Sequence, residues 1–347
     1  MTRHLMRRSI QAIPTLFGVT IVAFLLMQAT PGDPISLIMF NPDATPEATE
    51  QLRRQLGLDQ PALTQYVYWL IGNDWAQIDV DADGEGDFYG TRQGFLRGDL
   101  GQSIQKRRPV TEMLLERVSA TLQLTLSAAV VGYLLGIGIG VLAAIDHRGI
   151  FDQFARVISV IGNAVPSFWL GLLLIMLFSV RLGILPMSGM QDVTRSSDAF
   201  DLGDRIRHMV MPVLVLSLGT IAAISRYTRT QVLEVLSLDY VRTARSKGLQ
   251  DHQIYVRHVT RNALMPVATL IGPTLGFLLS GAVIIEQVFS WPGLGRMAVN
   301  AVSQRDYPVV MGTVVLGAIL YVFGNLTSDV FYSWIDPRVR FDAESLV

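Results

Sequence analysis

The sequence predicts an all-α integral membrane protein with six transmembrane helices. Half of the 347 residues are apolar and only 16% are charged, against about 25% in soluble domains. The charges avoid six long stretches, which contain only two charged residues, Glu286 and Asp329. Each stretch can cross or nearly cross a hydrocarbon core about 30 Å thick, at about 1.5 Å per residue. The predicted spans are residues 10–29, 121–145, 157–180, 209–225, 264–288 and 309–331.

The first span could also belong to a secretory signal, because Arg3, Arg7 and Arg8 precede it. The apolar run is too long for a typical signal, and Met27 to Ala29 form a poor cleavage site. We therefore interpret residues 1–29 as a cytosolic N-terminus followed by a retained first helix.

Positive charges predict the orientation, because short cytosolic loops are enriched in Lys and Arg. With the N-terminus inside, the cytosolic segments carry 14 Lys and Arg, and the two short outside loops carry 6. Both termini are therefore expected in the cytosol. The cytosolic segments counted are 1–9, 146–156, 226–263 and 332–347, and the outside loops are 181–208 and 289–308.

Two long segments between the predicted transmembrane helices are expected to lie outside the membrane. Residues 30–120 are too long for a simple connector and are expected to form an extracytoplasmic loop or small subdomain with an acidic insertion. Residues 121–347 then form a five-helix core, whose cytosolic segment 226–263 lies between helices 4 and 5 and is rich in positive charge.

Small residues and prolines predict how the helices meet and bend. Gly132, Gly136 and Gly140 share one face of the second span, and Gly272 with Gly276 repeat the spacing on the fifth. Such faces let helix backbones approach closely in lipid, and packing within the chain is favoured over a subunit interface. Prolines inside apolar helices are expected to kink them. These prolines are Pro166, Pro212 and Pro273.

The segment 226–263 contains a predicted short amphipathic helix. Leu238, Val241 and Ala244 recur at three-residue spacing and so are expected on one face. The basic residues expected mostly on other faces are Arg242, Arg245 and Lys247.

Residues with strong terminal preferences bound this helix. Ser237 or Asp239 can cap its start, and Gly248 can take the left-handed conformation that ends it. Asp251 can cap a second helix that runs toward Pro266. A helix of this kind either lies on lipid headgroups or inserts into a groove of a partner, and its physical chemistry alone favours neither.

The residues of this segment resemble the coupling segment in inner-membrane permeases of peptide-type ABC importers. In the general importer consensus, Glu-Ala-Ala stands six to four residues before a glycine, whereas Arg242, Thr243 and Ala244 stand there in this chain. The peptide-permease branch shows the same departure. The matching run is Asp239-Tyr240-Val241-Arg242-Thr243-Ala244-Arg245-Ser246-Lys247-Gly248-Leu249, followed by His258, Arg261-Asn262-Ala263-Leu264 and Pro266.

The resemblance extends over nearly the whole chain. Each short motif is weak evidence alone, but their joint order identifies the family. These motifs are Pro31-Gly32-Asp33-Pro34, Leu56-Gly57-Leu58-Asp59-Gln60-Pro61, Gly98-Asp99-Leu100-Gly101-Gln102-Ser103, Pro166-Ser167-Phe168-Trp169-Leu170-Gly171, Val288-Phe289-Ser290-Trp291-Pro292-Gly293-Leu294-Gly295, Arg305-Asp306-Tyr307-Pro308 and Asp336-Pro337-Arg338.

The resemblance implies a permease subunit that moves dipeptides, oligopeptides or related small solutes across a bacterial or archaeal cytoplasmic membrane by alternating access. It implies a second homologous permease subunit, two ATP-binding subunits that hold ATP and Mg, and an extracytoplasmic solute-binding protein. The chain has no Gly-x-x-x-x-Gly-Lys-Ser/Thr loop, so we expect no cofactor, catalytic residue or ATP site of its own. The expected ATPase-coupling residues are Leu238, Asp239, Tyr240, Val241, Arg242, Ala244, Arg245, Lys247 and Gly248.

The resemblance also implies an outer gate that folds back beside the translocation path. Its aromatic residues suggest a tight turn anchored at the outer membrane interface. Glu286, near the outer end of the fifth span, is expected to have an interfacial or packing role. The candidate gate residues are Glu286, Phe289, Trp291, Pro292, Gly293 and Gly295.

Other functions remain as alternatives. An ion-coupled secondary transporter usually has carboxylates or histidines near the bilayer midplane, and an intramembrane hydrolase needs a nucleophile and a base there; the sequence offers neither. Importers for nickel chelates or oligosaccharides share the family motifs, so these cargoes stay open. A net charge of −1 gives no support for nucleic-acid binding, and the absence of cysteine excludes thiol chemistry.

The acidic insertion contains the opening of a calcium-binding loop. Asp79, Asp81 and Asp83 alternate before Gly84, a spacing that lets carboxylates converge on one cation. Glu85 would add a backbone carbonyl and Asp87 a further ligand. Gly90 occupies the closing position, where a bidentate glutamate normally stands. A solvated acidic turn is the alternative.

Overall fold

The computed structural model describes residues 2–30, 35, 45–81, 86–192 and 201–335. These residues are mostly helical, with one short antiparallel hairpin and irregular segments that include most of residues 90–109 and 182–192. The motifs Pro31–Pro34 and Asp336–Arg338 lie outside the described residues. The elements are α1 Thr2–Ala29, α2 Pro46–Gln55, α3 Ala62–Ile71, β1 Gln77–Ile78, β2 Phe88–Tyr89, α4 Val110–Ile145, α5 Ile150–Ala164, α6 Ser167–Leu174, α7 Leu202–Leu236, α8 Asp239–Ser246, α9 Asp251–Gln253, α10 Arg261–Ala268, α11 Ile271–Val288, α12 Leu294–Ser303 and α13 Tyr307–Ile335.

Five helices in the described residues are long and apolar enough to cross a membrane, and a sixth span results if one bent pair counts as one. The five are α1, α4, α7, α11 and α13. The bent pair is α5 with α6 and the π-helical turn Ile175–Arg181, and its two halves meet at 101°. The prediction of a helical membrane protein is therefore confirmed.

The prolines act differently at their three positions. Pro166 lies at the sharp bend between α5 and α6, as expected for a residue that lacks a backbone donor. The expectation of a kinked helix is wrong for Pro273, which lies in the first turn of α11, where proline is tolerated. The predicted fifth span is instead interrupted before it, at residues 269–270, and α7 runs continuously through Pro212.

The structure divides into two compact units. The first contains residues 1–10, 120–296 and 320–347. Within it, the glycine face of α4 packs directly on α7. A Cβ atom at Gly132 would lie 2.7 Å from Thr220, one at Gly136 would lie 2.8 Å from Ile224, and one at Gly140 would lie 2.6 Å from the Ser225 carbonyl. The predicted small-residue face is therefore a packing surface within the chain.

The second unit contains residues 11–119 and 297–319. Its core packs Phe24 and Met27 of α1 with Trp69 of α3 and with Met311 and Val315 of α13. This aromatic and aliphatic cluster joins α3 to the C-terminal part of α1 and to α13 within the unit. The assignment of residues 30–120 to an extracytoplasmic loop or small subdomain stays a prediction.

Polar contacts support the same unit. The buried Asp306 carboxylate accepts hydrogen bonds from the Ser103 hydroxyl and, at 3.0 Å, from the Ile104 backbone. Arg97 donates two 2.6 Å bonds to Asp74, and this pairing lowers the pKa of the Asp74 carboxyl below its usual value. These bonds join segments that are distant in sequence.

The glycine face of α4 generates a stability prediction. Gly140→Val should lower the melting temperature of the purified chain, because the new side chain has no room against α7 and overpacking of this kind costs about 1–3 kcal/mol. Gly138→Val is the matched control, since nothing lies within 4 Å of its added Cβ. Equal melting temperatures of the two variants would contradict the packing assignment.

Candidate functional site

The predicted coupling helix, α8, is held by one buried face. Val241 and Ala244 are buried in a cluster with Val232 and Val235 of α7 and with Ile254 after α9. The helix is therefore fixed to the bundle by apolar packing. Leu238, which was expected on the same face, precedes the helix and is 44% exposed.

The α8 helix ends just before Gly248, as the sequence predicted. Gly248 has φ +77°, a conformation that costs other residues about 1–2 kcal/mol. Its N–H donates to the Arg245 carbonyl at 2.9 Å, and the Leu249 N–H donates to the Ala244 carbonyl at 3.4 Å. This pair of bonds is a Schellman motif, which satisfies the last carbonyls of the helix.

The start of α8 differs from the prediction. Leu238 occupies the N-cap position and makes no side-chain cap bond. Ser237 instead donates its hydroxyl to the Glu234 carbonyl at 2.7 Å, and Asp239 is the first helical residue, with a side chain that is 96% exposed. The second predicted cap, Asp251, likewise lies inside α9 as its first residue. In the first turn of a helix, the negative charge of an aspartate stabilises the helix by interacting with the positive end of its dipole.

A polar contact joins α8 to the following helices. The Asn262 side-chain amide donates at 2.9 Å to both the Tyr240 hydroxyl and the His258 carbonyl. The Tyr240 hydroxyl in turn donates to the same carbonyl at 3.3 Å. Because Asn262 belongs to α10, these hydrogen bonds join α8 to α10.

The opposite face of α8 is charged and exposed. Its basic side chains surround a helix whose buried face, formed by Val241 and Ala244, packs on α7. Such a surface suits docking of a folded partner better than a flexible linker would. The exposed residues are Asp239, Arg242, Arg245 and Lys247.

The candidate outer gate centres on Glu286, which is fully buried. Its carboxylate accepts a 2.6 Å bond from the Thr121 hydroxyl and a 2.9 Å bond from the Arg296 N–H. The Thr121 oxygen also accepts a 2.8 Å bond from the Leu294 N–H. Glu286 therefore connects α11, the start of α12 and the apolar part of α4, which is a packing role and leaves the side chain without access to headgroups.

The residues after α11 form the predicted tight turn. Ser290 has φ +48°, and the Trp291 N–H donates to the Glu286 carbonyl at 2.8 Å. The Trp291 indole N–H donates to the Ala120 carbonyl at 2.9 Å. Both Trp291 and Phe289 are buried in the apolar core of this unit, so the expectation that they anchor the turn at the membrane interface is wrong.

The glycines of this turn permit its close packing. A Cβ atom at Gly293 would overlap the Glu286 carboxylate, and one at Gly295 would lie 2.5 Å from the Val283 backbone. Pro292 lies between Trp291 and this first glycine. A gating role for these residues stays a prediction, but their packing explains why small residues are needed here.

Sequence reasoning missed the residues that complete this cluster. Thr121 and Arg296 were not predicted as partners of Glu286, although both hold its carboxylate. Thr121 is 165 positions away in the sequence, so no local pattern links the two. A carboxylate inside an apolar run was the only available signal.

Comparison with known families assigns the chain to a family of transport proteins. Residues 136–341 match the binding-protein-dependent transport system inner membrane component. Residues 1–125 match the corresponding N-terminal component of such transport systems. The chain belongs to this family. It is a multi-pass protein of the bacterial inner membrane, as its apolar helices also indicate.

Individual relatives match this inner membrane component over nearly its full length. The oligopeptide transport system permease protein AppB of Bacillus subtilis is 38% identical over 342 residues, which cover 98% of this chain and 100% of the relative. The dipeptide transport system permease protein DppB of Escherichia coli is 37% identical over 358 residues, covering 98% and 99%. The predicted family resemblance is confirmed.

A solved structure has a related fold. The inward-facing MetNI methionine ABC transporter matches with a TM-score of 0.51 and 21% sequence identity. The match covers 65% of this chain and 97% of the other chain. At this identity it indicates a shared fold for the helical core of the inner membrane component.

The predicted calcium loop is partly described. The hairpin pairs Ile78 with Phe88, which brings Asp79, Asp81 and Asp87 together with ligand atoms within 4.8 Å of one another. The Asp87 carboxylate also accepts a 2.8 Å bond from the Val80 N–H.

The remaining loop positions are less informative. Asp83 and Glu85 lie outside the described residues. The predicted closing position, Gly90, packs against Asn73. The calcium site stays a prediction.

The buried carboxylate generates a prediction about stability. Glu286→Ala should lower the melting temperature by several degrees, because it leaves buried donors without an acceptor at about 1–3 kcal/mol each. Ile284→Ala is the control, since this side chain lies on the same helix and is exposed. Thermal unfolding of the purified chain measures both, and a Glu286→Ala variant as stable as the control would contradict the role given to the carboxylate.

The acidic cluster generates a prediction about metal binding. Calorimetric titration of the purified chain with calcium should show millimolar or tighter binding that is lost in the Asp79→Ala, Asp81→Ala double variant. Asp59→Ala, which removes an exposed carboxylate elsewhere in the same unit, should leave the binding unchanged. No heat of binding at several millimolar calcium would reject the site.

Proposed function

We propose that this inner membrane component is one of two permease subunits in an ATP-driven importer of dipeptides, oligopeptides or related small solutes. The observation that carries the proposal is its 37–38% identity, over nearly full length, to permeases named for oligopeptide and dipeptide transport. Partner subunits bind and hydrolyse ATP with Mg, and an extracytoplasmic binding protein delivers the solute. The chain itself performs translocation without covalent chemistry.

The coupling step follows from the position of α8. Its charged face is free for an ATP-binding subunit, and its apolar face is packed on α7. Closure of the two ATP-binding subunits moves α8, and the contact of Tyr240 with Asn262 passes the movement to α10. The two permease subunits then alternate between inward-open and outward-open states.

Transport in proteoliposomes tests the proposal. The permease pair, reconstituted with its ATP-binding subunits and binding protein, should accumulate a labelled dipeptide only when ATP is present. A proton or sodium gradient without ATP should drive no uptake. Uptake that follows the ion gradient alone would overturn the proposal in favour of secondary transport.

The end of α8 generates a prediction about coupling. Gly248→Val should reduce ATP-dependent uptake or binding of the ATPase, because a β-branched residue is strained at φ +77° while nothing crowds its Cβ. Gly248→Asn is the matched control, since asparagine tolerates this conformation. The expected order of uptake is glycine, then asparagine, then valine.

Membrane insertion should survive both substitutions, which immunoblotting of isolated membranes measures. If the valine variant binds its ATPase and transports as the unmodified chain does, α8 is not the coupling element. Such a result would leave the transport function itself intact.

The orientation generates a prediction about labelling. The chain has no native cysteine, so a single introduced cysteine reports its own side of the membrane. Tyr89 is a suitable position for this cysteine because its side chain is exposed. The next residue, Gly90, packs on Asn73 and is unsuitable. The Tyr89→Cys variant should react with an impermeant thiol reagent from outside, and Lys247→Cys only after the membrane is opened. The reverse pattern would contradict the assignment of both surfaces.

A further inference from the structure

A groove lies between α4, α5 and α7, away from α8 and from the Glu286 cluster. One part is a cavity of about 190 Å³. Its apolar wall includes Ile139 and Val160, and its polar side includes Arg156, Arg226 and Arg229. The groove therefore combines hydrocarbon surface with three guanidinium groups.

A second cavity of about 110 Å³ continues the groove. It shares Ile139 and Ser159 with the first, and it is lined mainly by apolar side chains such as Phe154, Ile158 and Leu218. The two cavities together offer a path from the arginines along an apolar surface. This arrangement has the polarity of an amphiphile with one anionic end.

A buried ion pair builds the cationic end. Asp152 is fully buried and accepts bonds of 2.6 Å and 2.8 Å from Arg229. It also accepts a 3.0 Å bond from the Arg148 N–H, and the Arg156 guanidinium lies 3.4 Å from it. Arg229 holds the Asp152 carboxylate in a bidentate pair. The carboxylate therefore does not require Arg156 to keep its position.

The charges around the groove do not balance. Three arginines line it, and Asp152 supplies one compensating charge. Within the part of the chain that the structure describes, the Arg226 guanidinium has no hydrogen bond or ion pair, and its residue is exposed. An excess of about two positive charges therefore faces the groove.

The sequence places these charges at the depth of lipid headgroups. Arg156 directly precedes the apolar run 157–180, and Arg226 directly follows the run 209–225. Basic side chains at such positions meet phosphate groups, whereas Ile158 and Leu218, which lie inside the two apolar runs, line the apolar part of the groove. Guanidinium groups bind phosphate oxygens in bidentate geometry.

We propose that this groove binds one anionic phospholipid. Its phosphate lies between Arg156 and Arg226, and one acyl chain fills the apolar cavity beside Ile158 and Leu218. Charge complementarity selects the anionic headgroup over a zwitterionic one. Arg226 lies ten residues before Leu236, the last residue of α7. At a rise of about 1.5 Å per residue, the site is therefore about 15 Å from the end of α7 that leads into α8. A bound lipid there leaves the exposed face of α8 free.

Native mass spectrometry of the purified full-length chain tests the proposal. The chain, equilibrated with an equal mixture of phosphatidylglycerol and phosphatidylcholine, should retain phosphatidylglycerol preferentially. The Arg156→Gln, Arg226→Gln double variant should reduce that preference roughly 25-fold, at roughly 5-fold for each cation. It keeps the pair of Asp152 with Arg229, so we expect the fold to be preserved, and the melting temperature of the variant checks this.

Two further variants separate charge at this site from charge in general. Arg257→Gln removes an exposed cation from another part of the same predicted cytosolic side and should leave the preference unchanged. Ser159→Leu fills the space shared by the two cavities and should reduce retention of the lipid without changing any charge. Its melting temperature verifies that the chain remains folded.

Competition identifies the occupant. Excess glycerol phosphate should displace the lipid only weakly, because it lacks the acyl chain, and excess dipeptide should not displace it. Equal retention of the two lipids, an Arg257→Gln effect as large as that of the double variant, unchanged lipid retention in a folded Ser159→Leu variant, or full displacement by the dipeptide would each overturn the proposal.

Discussion

The close packing of α4 on α7 is the contact on which the rest of the first unit depends. Three glycines remove side-chain volume along one face, so the two backbones meet at a distance that other residues do not allow. In lipid, helices gain little from hydrophobic burial against each other, and such van der Waals contact becomes the main source of association. The end of α7 then determines where α5 and α8 can lie.

The long helices carry structure beyond the membrane. With 35 residues, α7 is about 52 Å long, which exceeds a hydrocarbon core of about 30 Å. Its last turns supply Val232 and Val235 to the cluster that holds α8, and the end of α4 supplies Ala144. Arg229, one turn before Val232, holds α5 through the buried Asp152. The same end of α7 thus positions both α8 and the groove proposed to bind a lipid.

Hydropathy predicted the number of apolar runs, and it failed where a helix continues outside them. The second run begins at residue 121, but α4 begins at Val110. Its first turns bury Val110, Met113 and Leu114 but also carry Glu112 and Glu116, which pair with Arg108 at the surface. A scale that measures transfer into lipid has no signal for such turns. The stop at Gly248 was predictable because it depends on local backbone conformation.

Contacts between distant segments were beyond sequence reasoning. The partners of Glu286 come from α4 and from the start of α12, and the Trp291 indole finds its acceptor at Ala120. An aromatic residue after a span is typical both of an interface anchor and of a core residue. Only the assembled fold decides between them, because the decision depends on which helix covers the side chain.

The predicted coupling helix α8 and the Glu286 cluster contact the two halves of an interrupted helical segment. The Tyr240 hydroxyl accepts a hydrogen bond from Asn262 of α10, whereas Glu286 lies on α11, and residues 269–270 separate α10 from α11. In the proposed importer, a pull on α8 reaches α10 through this bond, and both α10 and α11 also pack on α7. The Glu286 carboxylate is held by Thr121 and Arg296, so we expect any change in the angle between α10 and α11 to occur at the interruption and not within the buried carboxylate cluster.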